Sequence, residues 1–160
     1  MCRVLGVSES GFYAWRTRGL TPRTARRAIC TVVKNVQPMT LLLPFPGDAH
    51  SDHKYVFDAS VTGTKWFRFP YVEKVMAYET LSETDFGISP FERAFAPNVF
   101  VDISAQMERK EQILSLFESE LAAFPFPRSL EAVRALAKVR GAASGYAAAE
   151  SFMLLRQRIA

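Results

Sequence analysis

From Thr40 onward, short apolar runs alternate with longer segments of helical period, and that alternation confines the chain to the α/β class. Leu41 to Leu43 form a strand-like run that ends in the loop Pro44-Phe45-Pro46-Gly47-Asp48-Ala49-His50-Ser51-Asp52-His53. Residues 52–62 read as a helix capped by Ser51, Val72 to Thr80 as a strand, and Asn98 to Ile103 as another, with Val99 to Ile103 buried. Ser104 opens a predicted helix over 105–121, whose apolar positions Met107, Ile113 or Leu114, Phe117 and Leu121 recur at helical spacing; Pro125 and Pro127 stop it. Ser129 caps a further helix over 129–140, with Leu130, Val133, Leu136 and Ala137 on one face and Gly141 closing it. The sequence contains no internal repeat and no low-complexity segment.

A chain of 160 residues that is 49% hydrophobic can build one core of ordinary size without disulfides or structural metal. Its two cysteines, Cys2 and Cys30, lie far apart and lack the spacing of a zinc ribbon or redox motif, so free thiols and a cytoplasmic location are expected. The apolar stretch Met39 to Phe45 is broken by Pro44 and is far shorter than the ~20 residues a membrane crossing needs. Met1 to Leu5 lead into no signal-peptide core, so neither export nor membrane association is expected.

Charge divides the chain unevenly. Residues 1–36 hold seven Lys/Arg against the single Glu9, a net of +6, which leaves −2 for the remainder of an overall +4. The opening string MCRVLGVSESGFYAWRTR reads as helix, tight turn and helix, with Ser8 as a cap. It resembles the helix-turn-helix near the amino terminus of the transposase B subunit of IS3-family insertion sequences. Such a motif binds DNA because its second helix enters the major groove while the first crosses the backbone. Only Met1 to Leu5 remain of the first helix, so nucleic acid is not the expected partner. Arg16, Arg18, Arg23, Arg26 and Arg27 would supply at most salt-sensitive, sequence-blind affinity. Between Ile29 and Leu43 no helical face is evident, and the change of character is placed near residues 35–38. Residues 1–37 are thus read as a helical amino-terminal extension and junction ahead of the main domain, residues 38–160, and the first 30 residues are expected to pack poorly on the rest.

Both histidines of the chain fall in the string His50-Ser51-Asp52-His53, after a strand-like run, where functional loops of α/β folds lie. Imidazole is a common neutral metal ligand and the usual proton carrier near neutrality, and an adjacent carboxylate can fix its tautomer. The same residue types also suit an exposed polar turn at a helix start.

Around that string stand Tyr78-Glu79-Thr80-Leu81-Ser82-Glu83-Thr84, Pro97-Asn98-Val99-Phe100-Val101-Asp102-Ile103-Ser104, Pro127-Arg128-Ser129-Leu130-Glu131, Arg140-Gly141 and Ala149-Glu150-Ser151-Phe152. In this order they resemble the downstream half of the LmbE/PIG-L family, zinc-dependent deacetylases that act on N-acetylglucosaminyl lipids and related amino sugars. The resemblance implies an incomplete Rossmann-like layer, with an N-acetylated amino sugar or glycoside as the parent family's substrate and zinc as its cofactor. It assigns His53 as a metal ligand, His50 as the catalytic residue that stabilises the oxyanion or protonates the leaving amine, and Asp52 as the residue that orients His50. Ser51 stands where the family often has proline, a change to the backbone rather than to the metal.

The family's upstream His-Pro-Asp-Asp-Glu string, which supplies a His ligand, an Asp ligand and the general-base Asp, does not occur in this sequence. A catalytic zinc needs about three protein ligands and an open position. With two histidines in all, this sequence is expected to retain neither zinc nor turnover by itself unless a separate upstream half completes the site. Loss of the first strands would also leave an open sheet edge, and aromatics among Phe45, Trp66, Phe67, Phe69, Phe86, Phe91, Phe95 and Phe100 that once faced the lost half or substrate. The competing readings are a DNA-binding remnant of an insertion-sequence transposase and a non-functional fusion product; gel-shift affinity measured against salt separates DNA binding from the enzyme-derived reading.

Overall fold

The computed structural model describes residues 21–88 and 94–159. The helix-turn-helix string at 1–18 and Phe91 lie outside the described residues. The elements in chain order are α1 (Pro22–Val36), β1 (Thr40–Pro44), α2 (Ser51–Val61), β2 (Lys74–Tyr78), β3 (Val99–Asp102), α3 (Met107–Leu114), α4 (Leu130–Ala142) and β4 (Ala149–Gln157), with short 3-10 turns between some of them. None of the described helices is long and apolar enough to cross a membrane.

The four strands form one mixed sheet in the order β1-β2-β4-β3. β1 and β2 are parallel, joined through α2, while β4 runs antiparallel to both β2 and β3. Leu41 pairs with Val75 and Leu43 with Ala77, so these four side chains share one face of the sheet. On that face Leu43 and Val75 pack with Val33, Phe69 and Val72, and Ile29, Cys30, Leu41, Phe57 and Tyr71 surround them. Leu42 points the opposite way and is 50% exposed, as an edge strand with one uncovered face requires.

Several boundaries differ from the sequence reading. The stretch that showed no helical face is in large part helix α1, which Thr21 caps through its side chain. Against the expectation that the first 30 residues pack poorly, Ile29 and Cys30 of α1 lie against the core, where the same helix places Val33, only 5% exposed. Arg23, Arg26 and Arg27 occupy its exposed positions. β3 is an edge strand rather than a buried one: it pairs with β4 alone among the described strands, and Val101 is half exposed. The helix expected over 105–121 runs for eight residues only: α3 half-buries Met107, Lys110, Glu111 and Leu114 but buries no side chain fully, and short helices persist through the face they pack. Ser115 ends it, its hydroxyl donating to the Glu111 carbonyl, and Leu116 and Phe117 are left exposed.

Ser129 caps α4 as expected, accepting from the Ala132 N–H at 3.1 Å. Gly141 does not close that helix by turning left-handed; it lies buried in the last turn, where a Cβ would sit 2.6 Å from the Tyr146 carbonyl oxygen. Alanine is intrinsically better in a helix by about 1 kcal/mol. Gly141→Ala is nonetheless expected to destabilise the protein by about 1–3 kcal/mol, since the clash is with backbone that must shift. A lowered urea midpoint at unchanged m-value checks this.

Candidate active site at the carboxyl ends of the parallel strands

Because β1 and β2 are parallel, the loops that follow them leave the same end of the sheet, the position where α/β folds place their ligands. Residues 45–50 follow β1 and residues 79–88 follow β2. Three contacts tie the loops together. The Ala49 N–H donates to the Glu83 carbonyl at 2.9 Å. The Thr84 hydroxyl donates to Asp48 Oδ1 at 2.6 Å. Gly87 approaches the Gly47 carbonyl so closely that no side chain fits between them.

His50 is the N-cap of α2, one residue earlier than the Ser51 expected in that role. Its Nδ1 accepts from the Asp52 N–H at 3.2 Å, doing with a ring nitrogen what a serine oxygen does at other caps. The Asp52 carboxylate lies 3.8 Å from the same nitrogen, beyond hydrogen-bond reach, and is largely exposed. Asp52 therefore touches His50 through its amide, while its charge sits in the first turn, where the helix dipole favours an anion.

His53 lies one turn into α2, and its ring centroid is 5.8 Å from that of His50. Its Nδ1 is 2.6 Å from Asp48 Oδ2, the carboxylate of a side chain with no exposed surface. Asp48 was legible in the motif string but received no role, because a partner five residues away across a strand-to-helix loop has no fixed spacing. Thr84, also unassigned from sequence, accepts from the Thr80 N–H at 2.8 Å while donating to Asp48. Burial, and after it the charge of Asp48, pushes the Tyr78 hydroxyl above the usual tyrosine range.

Beside this cluster the Arg140 Nε donates to Glu79 Oε1 at 2.8 Å and its Nη2 to Oε2 at 2.5 Å, and the Ser151 hydroxyl donates to Oε1 at 2.5 Å. This network joins the end of β2, α4 and β4. Its carboxylate has both oxygens engaged.

His53 is the residue of this cluster that could hold a metal ion. His53 has a carboxylate on Nδ1, the arrangement that orients metal-binding imidazoles, and this leaves Nε2 to act as the ligand. Among the described residues no three His, Cys, Asp or Glu side chains are grouped so as to hold a metal ion.

No protein-family model matches this sequence, and no curated protein does. Among solved structures it is similar to the conserved protein TT1542 from Thermus thermophilus, with a TM-score of 0.64 at 22% identity over 85% of this chain. The chain spans 60% of that protein's length. The likeness establishes the fold: a mixed α/β layer consistent with an incomplete Rossmann-like architecture.

Proposed function

We propose that residues 38–160 are the downstream half of a zinc-dependent de-N-acetylase of the LmbE/PIG-L type, acting on N-acetylglucosaminyl-type amino sugars and inactive by themselves. The observation that carries this reading is the 2.6 Å contact between His53 and buried Asp48 at the carboxyl end of β1, which prepares one imidazole as a ligand. His50 supports it as a second imidazole 5.8 Å away, half exposed and able to act on an oxygen or nitrogen of a bound amide. In the parent family the metal supplies an activated water for amide hydrolysis. His53 alone cannot hold it for that purpose.

The test is reconstitution. Fusing an upstream half that bears the His-Pro-Asp-Asp-Glu string ahead of Pro38 is expected to yield acetate from an N-acetylglucosaminyl glycoside, and His53→Ala is expected to abolish that release, since one of about three protein ligands is then missing. A folded, zinc-loaded fusion that leaves the substrate intact would remove the reading.

A further inference from the structure

The two imidazoles differ in what holds them, and the difference dictates where their protons sit. Asp48 is an acceptor on both oxygens when ionised. The neutral His53 ring can meet Asp48 Oδ2 at 2.6 Å only with a proton on Nδ1, which leaves a lone pair on Nε2. The other carboxylate oxygen is closed off by Thr84. That hydroxyl takes the Thr80 N–H into one lone pair, so its own proton is directed to Asp48 Oδ1. The polarity of the chain Thr80 to Thr84 to Asp48 therefore follows from an amide that can only donate.

At His50 the logic is inverted. Its Nδ1 faces the Asp52 N–H, again an obligate donor, so in the neutral ring Nδ1 is bare and the proton resides on Nε2.

We infer that the structure holds His50 and His53 in opposite tautomers, with Asp48, anchored by Thr84, as the positioning residue for His53. The inference rests on the deacetylase-half reading for its use, though not for its geometry. The site then offers a hydrogen-bond donor at His50 Nε2 and an electron-pair donor at His53 Nε2. This pairing suits a polar carbonyl compound at the first imidazole and a Lewis acid at the second. Two imidazoles in the same tautomer would offer two donors or two acceptors, and could not divide these roles.

Nitrogen-15 NMR of the ring nitrogens tests this in the full chain labelled at histidine, at about pH 8.5, above the ordinary imidazole range. The chain has two histidines, so His50→Gln assigns both patterns. The expected spectrum shows a protonated Nδ1 and bare Nε2 for His53, and the reverse for His50. Asp48→Ala is expected to return His53 to a mixture dominated by the Nε2–H form that unconstrained histidine prefers in water, leaving His50 unchanged. Thr84→Val should move His53 part of the way. A wild-type spectrum with Nε2–H at His53, or an unchanged His53 pattern in a folded Asp48→Ala protein, overturns the inference. The wild-type spectrum decides the matter even where loss of the buried carboxylate unfolds the chain. Opposite tautomers without acetate release from the fusion would retire the deacetylase reading and leave the positioning role of Asp48 standing; the same tautomer in both rings with an active fusion would do the converse.

Discussion

Zinc is expected to bind the isolated chain with a Kd of about 1–15 mM, and N-acetylglucosaminyl substrates should yield no acetate. Structural sites with a full ligand set gain about 10–16 kcal/mol from zinc. One imidazole of four ligands accounts for roughly 2.5–4 kcal/mol of that, which corresponds to about 1–15 mM. The Asp48 contact orients His53 but supplies no further ligand, because the Asp48 side chain has no exposed surface. Isothermal titration with zinc and an acetate assay on the same preparation measure both quantities. Submicromolar, one-to-one binding with turnover, both lost in His53→Ala, would show that the chain completes a site by another route, such as a second copy.

Glu79→Ala should lower the unfolding free energy by about 2–4 kcal/mol. The Glu79 side chain is 10% exposed and that of Arg140 24% exposed, so truncation leaves a guanidinium and the Ser151 hydroxyl short of their partner in a partly buried place. Partial exposure of Arg140 keeps the figure below that of a fully buried pair. Glu79→Leu combined with Arg140→Met should recover much of the loss, since no charge is then stranded. Urea midpoints of the single and double variants at constant m-value provide the measurement. Equal losses in the double and the single variant would show that packing, rather than charge pairing, holds the junction.

Local chemistry made much of this protein readable from its sequence. The alternation of apolar runs and helical periods placed β1, β2, β3, α2 and α4 within a few residues, because side-chain period is a property of the local backbone. The serine cap at Ser129 is likewise a contact within one turn. The histidine pair drew attention because both imidazoles sit in one short string. Tertiary structure decided the rest. Periodicity cannot say that β3 lies at an edge, that α1 has a partner for Val33, or that α3 has a face no more than half buried; each depends on which elements come to neighbour one another. Asp48 and Thr84 are 36 residues apart, and Glu79 and Ser151 are 72 apart. They meet because β1 and β2 run parallel and β4 lies against β2, which brings the carboxyl ends of two strands and the start of a third to one end of the sheet. Identity of the imidazoles was a matter of sequence, whereas the buried carboxylate on one and the backbone amide on the other came from the loops that this arrangement joins.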